Sequence, residues 1–378
     1  MKELNPGYTK SDPPRCLEGT RKYILLVIRE WTNNLNSPNI LWISAYPGTG
    51  KSTIAFTIAA ELEWSHRMGT IFAFDRKSGM IPSVLWRHVT FTLACEYPNC
   101  RNHIVAALKG KPSGLTNITA TEIFHQFVIN PLEKWDSPPA KIPRDRLPVL
   151  IIDALDGCGG LGGSSAPDRK DVLSHIAEWT KLSPHFKLII TSRLEDDIGR
   201  TFFTSPHQSL DIGTGNAVSS ESSHDIQRYI EHRFDEIVKA NLGLPSNWPG
   251  KDVVDSLTSR ASGMFIWAAT ALNYMEDFPG DDRLDDIQGG TLPPGDVHAL
   301  YRQVLTKSSS KWRPQEHANF VDLVGAIVVI QVSLTAAEFA CRLDMKETVV
   351  GNICNMLRPV LASGDTFRFA HQSFVDFL

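Results

Sequence analysis

One octapeptide constrains this chain more than anything else in it. Ala45-Tyr46-Pro47-Gly48-Thr49-Gly50-Lys51-Ser52 has the spacing of a phosphate-binding loop, with alanine where the strict motif has its first glycine. Upstream, Ile40-Leu41-Trp42-Ile43 is a short apolar run of the kind that forms a buried parallel strand. Downstream, Thr53 to Leu62 carries apolar positions at helical spacing. The glycines therefore sit at a strand-to-helix turn. Gly48 and Gly50 allow backbone conformations closed to other residues, so N–H groups around Thr49 converge on one anion-sized hollow at a helix N-terminus. Lys51 supplies charge for β- and γ-phosphates, Ser52 a hydroxyl for Mg²⁺, and Thr53 the next position of the helix start. The implied ligand is a nucleoside triphosphate or diphosphate, ATP or ADP, with Mg²⁺.

The rest of the chain has to be organised around that turn. At 378 residues it is too long for one ordinary domain, and 42% hydrophobic residues suffice for real cores. A net charge of −4, from 38 basic and 42 acidic residues, offers no electrostatic case for nucleic acid or an anionic membrane. Met1 to Gly7 lacks an apolar signal core, and Val321 to Leu334 is too short for a membrane span and contains Asp322, so a cytoplasmic protein is expected. The cysteines at 16, 95, 100, 158, 341 and 354 form no framework and read as reduced thiols. Cys95, Cys100 and His103 fit no common zinc spacing.

Strand-like runs at Thr70–Phe74, Val149–Asp153, Lys187–Arg193 and Gln208–Ile212 alternate with helical segments at Val84–Ala94, Glu122–Trp135 and Arg169–Leu182. A Pro-rich linker runs from Ser137 to Pro148. This pattern predicts an α/β fold with a parallel sheet and helices on both faces. Beyond Gly213 the strand signals stop. Helical periods cover Asp225–Ala240, Asp252–Ala261 and Phe265–Met275, and Pro279 to Gly295 reads as a linker. Further helices follow at Val297–Leu305, His317–Val329, Thr335–Arg342 and Glu347–Leu357. A hairpin then pairs Val360-Leu361 with Phe367-Arg368-Phe369. Helices before a hairpin suggest a winged helix, and its recognition segment, Lys346 to Arg358, is too poor in basic residues for DNA. The expected division is an N-terminal segment 1–30, a nucleotide-binding domain 31–212, a helical domain 213–290 and a winged-helix domain 291–378.

Asp153 ends a hydrophobic strand, where a carboxylate can hold Mg²⁺ through water, and Asp156 can reach the same ion or its water. Arg193 can reach a γ-phosphate from the end of its own strand. Gly157-Cys158-Gly159-Gly160-Leu161-Gly162 has the form of a dinucleotide fingerprint. However, Asp153 to Asp156 separate it from the strand and Ser164 to Pro167 delay its helix, so a loop is expected.

Together these residues resemble the NACHT nucleotide-binding domains of fungal signalling NTPases, also called nephrocystin-3-like N-terminal domains and part of the STAND class. The resemblance begins at Cys16-Leu17-Glu18-Gly19-Thr20-Arg21 and runs through the phosphate loop, Val149 to Asp156, and Ile189 to Arg193. It continues at Ser262-Gly263-Met264-Phe265-Ile266-Trp267-Ala268 and ends at Phe369 to Leu378. It implies a P-loop NTPase sheet in which the Arg193 strand lies between those of Lys51 and Asp153. It also implies a switch held closed by ADP, opened by ATP and then self-associating, in fungal innate immunity or incompatibility signalling. In that scheme Cys16 to Arg21 borders the adenine and His371 touches the β-phosphate of ADP. Repeat sensors and an effector, expected in full-length relatives, are not in this chain, which reads as a fragment. Where the family has an acid after the second aspartate, this chain has Gly157; losing such a group typically costs about 10² to 10⁴ in rate, so at most weak nucleoside triphosphatase activity is expected. A small-molecule phosphoryl transferase and a scaffold with a relic site are the competing readings.

Overall fold

The computed structural model describes residues 15–76, 81–110, 118–136, 148–241, 243–276, 281–289, 293–309, 312–330, 332–362 and 364–378. The Pro-rich stretch 137–147 lies outside them. Contacts divide the chain into two units. The first takes the described residues of Met1–Cys16, Arg21–Ala45 and Lys51–Ile212; the second takes Leu17–Thr20, Tyr46–Gly50 and Gly213–Leu378.

In the first unit, strands β1 (Ile40–Ala45), β2 (Met68–Ala73), β3 (Val149–Asp153), β4 (Lys187–Ser192) and β5 (Gln208–Ile212) form a parallel sheet in the order β2-β3-β4-β1-β5. β4 therefore lies between β1 and β3, with Leu41 level with Ile189 and Ile151 level with Ile189 from the other side. Strands β1, β3 and β4 are buried along their whole length, which is why they read as unbroken apolar runs. Alternate residues feed two separate cores. Leu41, Ile43, Ile151 and Ile189 pack with Leu25, Ile28 and Trp31 of α1 (Lys22–Asn33) and with Ile54 and Ile58 of α2 (Lys51–Trp64). Trp42, Leu150, Ile152, Leu188 and Ile190 face the opposite side. There they meet α3 (Pro82–Glu96), α4 (Pro98–Lys109), α5 (Ala120–Ile123), α6 (Asn130–Asp136), α7 (Pro167–Trp179) and α8 (Asp196–Thr204). Helices on both faces follow directly from the pleat.

Two of these helices, α4 and α8, lie in stretches the apolar periodicity leaves unassigned. Pro98 at the first position of α4 and the acids Asp196 and Asp197 in the first turn of α8 are start signals independent of that periodicity. Between α5 and α6 the helix passes through a π-turn, Phe124–Ile129, in which Phe124, Phe127, Val128 and Ile129 are all buried. The extra residue per turn turns this run of apolar side chains toward the core.

The second unit is helical. It contains α9 (Ser220–Ala240), α10 (Lys251–Ala261), α11 (Phe265–Glu276), α12 (Asp281–Gln288), α13 (Val297–Ser309), α14 (Pro314–Val329), α15 (Ala336–Leu343), α16 (Glu347–Leu357) and α17 (Gln372–Phe377). One apolar core runs through it from Ile226 to Phe374. α12 corrects the expectation of a linker over Pro279 to Gly295. Leu284 and Ile287 are buried on one face of it, while Asp286 accepts hydrogen bonds from Tyr274 Oη (3.0 Å) and Lys307 Nζ (2.6 Å). Asp286 is thus neutralised by Lys307, a neighbour that the local sequence does not reveal. Near the C-terminus, Leu361 bridges Phe369 and Leu334 bridges Phe367, both antiparallel. Ala362 N–H donates to Arg368 O and Ala370 N–H to Val360 O at 2.9 Å, so the expected pairing is present as a short bridge.

His175 on α7 is 2% exposed. Its Nδ1 accepts from Trp86 Nε1 at 3.0 Å, a bond that leaves the ring proton on Nε2, which stands 3.1 Å from Thr121 Oγ1. Burial, opposed by Asp171 and Glu178 and reinforced by His125, lowers its pKa from 6.5 to about 4. The unfolded chain therefore takes up a proton that the fold excludes. Stability contributed here is present above pH 6.5 and should fall as the pH drops toward 4, by on the order of 3 kcal/mol. Urea unfolding of the wild type and His175→Asn across pH 4 to 7 checks this, with a flatter profile expected for the variant.

Candidate functional site

The C-terminal ends of β1, β4 and β3 lie side by side, so the residues that follow them share one edge of the sheet. After β1 the chain turns through Gly48 (φ +79°) and Gly50 (φ +91°), a conformation open to glycine, and enters α2 at Lys51. Thr49 is fully buried and donates from Oγ1 to Tyr46 O at 3.0 Å, closing the loop on itself. Gly48 has a second reason to lack a side chain: a Cβ would fall 1.9 Å from Ile266 Cγ2, and its carbonyl accepts the Ile266 N–H at 3.0 Å. Ile266 belongs to the Ser262–Ala268 stretch, where Ser262 (φ +49°) and Gly263 (φ +90°) reverse the chain from α10 into α11.

Lys51 Nζ donates to Ala45 O at 2.8 Å, which folds the side chain back over the loop. Burial is the main cause lowering its pKa to about 8, with Asp156 and Asp153 pulling it up and Arg193 pushing it down. Lys51, Asp153, Asp156 and Arg193 thus lie in one electrostatic field. Ser52 and Thr53 stand in the first turn of α2, with Ser52 exposed. Asp153, 3% exposed at the end of β3, accepts from Thr191 Oγ1 at 2.6 Å. The same Thr191 oxygen accepts the Ala154 N–H at 3.0 Å, so one β4 side chain fixes both the acid and the turn after it. A buried carboxylate with one oxygen so oriented, near an exposed serine hydroxyl that starts the helix, fits the hard oxygen donors Mg²⁺ prefers.

Asp156 is differently placed. Its Oδ1 accepts the Arg193 N–H at 3.0 Å, and Oδ2 lies 3.1 Å from Arg193 Nε and 3.5 Å from Arg76 Nη2. Arg76 also reaches Glu195 Oε1 at 3.0 Å. Glu195 is shared with Arg169, whose Nη2 donates to Glu195 Oε2 at 2.6 Å and to Asp197 Oδ1 at 2.8 Å, while Nη1 donates to Asp156 O at 3.2 Å. Arg169 Nε is 2.7 Å from Asp197 Oδ2, a charge contact without hydrogen-bond geometry. Arg169 is wholly buried, so this network is what permits its charge in the core. The sequence reading finds Asp156 and Arg193 but neither Arg76 nor Arg169. The available signal is positional: Arg76 follows β2 closely, as Arg193 follows β4.

Gly157 is buried, and its N–H donates to Ala154 O at 2.8 Å. A Cβ there would meet Phe74 Cβ at 3.2 Å and the Phe74 carbonyl carbon and oxygen at 3.3 Å. The Gly157–Gly162 run forms 3₁₀ turns, with no α-helix opening on it. Cys100 is buried and its thiol is pushed up to about 12 by burial. His371, in the second unit, caps α17: Nδ1 accepts the Ser373 N–H at 3.1 Å and stands 2.7 Å from Ser373 Oγ, which contacts Tyr301 Oη at 2.8 Å. Accepting on Nδ1 directs the ring proton to Nε2.

Residues 20–193, from the turn before α1 to Arg193, match the sequence model of the family described as Nephrocystin 3, N-terminal. Over these residues the chain is similar to that family. It is similar to the vegetative incompatibility protein HET-E-1 of Podospora anserina, with 26% identity over 370 residues that cover 93% of this chain and 25% of the relative. The crystal structure of a STAND protein with a tetratricopeptide repeat sensor from Pyrococcus horikoshii superposes with a TM-score of 0.51 at 12% identity, covering 97% of this chain and 43% of that one. The chain therefore spans a quarter of the curated relative's length and less than half of the archaeal structure. Among its described residues, no helix is long and apolar enough to cross a membrane.

The packing around Gly157 leaves little room for a side chain at this position. Gly157→Glu should lower stability by about 1–3 kcal/mol, since two of the three nearest atoms are Phe74 backbone that cannot rotate away. Gly157→Ala should cost less, and thermal unfolding of the two variants checks the order.

Proposed function

We propose that the chain is the nucleotide-dependent switch of a STAND-type signalling protein, binding ATP or ADP with Mg²⁺ and hydrolysing ATP slowly. The observation that carries this reading is the convergence of a glycine loop and a half-buried Lys51 with Asp153 and Arg193 at the ends of three adjacent parallel strands. In this reading, N–H groups at Gly48 to Lys51 and the start of α2 cradle the phosphates, and Lys51 neutralises the β- and γ-oxygens. Ser52 and Asp153 hold Mg²⁺, directly and through water. When bound, Mg²⁺ supplies charge neutralisation between β- and γ-phosphate oxygens.

Arg193 reports whether a γ-phosphate is present, and His371 with its Nε2 proton reports a β-phosphate. Slow turnover follows from the same site. Gly157 brings no carboxylate, and Asp156 is engaged by Arg193 and Arg76 in place of an attacking water. Residues 213–290 and 291–378 act as the helical and winged-helix parts that respond to nucleotide state, and self-association follows ATP binding. Similarity to HET-E-1 supports a role in incompatibility-type or innate-immune signalling in the cytoplasm, with sensor repeats and an effector as the partners of the switch.

Nucleotide released from denatured purified protein, identified by chromatography, should be ADP or ATP in the wild type and absent from Lys51→Ala. No nucleotide in either would favour a relic site. Because Lys51 loses its proton around pH 8, nucleotide affinity should hold from pH 6 to 7 and fall roughly tenfold by pH 9, measured by calorimetry in the presence of Mg²⁺.

A further inference from the structure

Asp156 is a carboxylate that Arg193 and Arg76 share at the strand ends. Arg193 holds it through both its backbone N–H and its Nε, and Arg76 approaches the same Oδ2 from the end of β2. Asp156 is 6% exposed, and its carbonyl is tied to the buried Arg169, so it cannot swing into water. This creates a conflict. If Arg193 moves toward a γ-phosphate, it withdraws a cation from a buried carboxylate, and an uncompensated buried charge is heavily disfavoured. The second arginine resolves the conflict, since Arg76 remains against Asp156 Oδ2 whatever the Arg193 guanidinium does.

Resting on the nucleotide-switch reading above, we propose that Arg76 is a positioning residue for triphosphate recognition, neutralising Asp156 so that the Arg193 side chain can exchange that carboxylate for the γ-phosphate. ADP offers nothing for which Arg193 would leave Asp156, so Arg76 should matter for ATP and not for ADP. Glu195 keeps Arg76 in place by accepting at 3.0 Å. Because Glu195 also accepts from Arg169, the seat of Arg76 is braced from α7 as well. The 3.5 Å contact to Asp156 is that of a point charge rather than a two-pronged fork, so a lysine can substitute in part.

The test measures Mg-ATP and Mg-ADP affinities of the full chain by calorimetry for the wild type, Arg76→Gln, Arg76→Lys, Arg193→Gln and Asp156→Asn. Arg76→Gln should weaken ATP by about tenfold, about 1.4 kcal/mol, and change ADP by less than about twofold. Arg76→Lys should recover most of the loss. In the Asp156→Asn background, Arg76→Gln should have no further effect on ATP, because the charge it balances is gone. Asp156→Asn alone should tighten ATP, because Arg193 is then no longer held by a carboxylate, and so reports on the idea even if Arg76→Gln fails to fold. Equal weakening of ATP and ADP by Arg76→Gln, no rescue by lysine, or loss of ATP binding in Asp156→Asn would overturn the role of Arg76. A wild type that binds neither nucleotide would instead sink the switch reading.

Discussion

The parallel pairing of β3, β4 and β1 is the constraint on which the site depends. Parallel strands end at the same edge, and because these three are buried on both faces, Ser44, Asp153, Thr191 and Ser192 stand at or next to their C-terminal ends. Four chemically different groups are therefore brought together by main-chain pairing alone: the loop lysine, the metal-type aspartate, the threonine that orients it and the arginine after β4. β4 contributes most. It lies between the other two, so Thr191 can bond across to Asp153 and Ala154, and Arg193 can bond back to Asp156.

Around this edge, charge is organised as a chain of shared partners rather than as isolated pairs. Arg76, Asp156, Arg193, Glu195, Arg169 and Asp197 join the ends of β2, β3 and β4 to the starts of α7 and α8. Removing one member takes a charge from its partners, among them the buried Asp156 and Arg169, so their substitutions should not add independently. Asp156 consequently has a different character from Asp153. The two acids are three residues apart in sequence, yet one is oriented by a neutral hydroxyl and the other is pinned by guanidinium groups.

Much of this was legible in the sequence, and what was missed has a common physical cause. The strands were readable because full burial demands unbroken apolar runs, and the place of β4 between β1 and β3 agrees with the family resemblance. α4, α8 and α12 lie outside that reading, since each buries just a pair of apolar side chains, Cys100 and Ile104, Ile198 and Phe202, and Leu284 and Ile287, too few to set a period. Arg76 and Arg169 were missed because an arginine inside a polar stretch looks like surface until the fold shows that Arg169 is wholly buried. Gly157 was noticed as a departure, but its close approach to Phe74 is a contact between β2 and the turn after β3, some eighty residues apart in the chain.

That contact has a consequence for what residue 157 can carry. With the exit of β2 pressed against it, a side chain there needs its neighbours to give by a few tenths of an ångström. Moving the Phe74 side chain relieves only one of the three close atoms, and the other two belong to a backbone whose path is fixed by pairing with β3. Room for a side chain at 157 and the path of the chain out of β2 are therefore a single variable, so a change made at one of them is felt at the other.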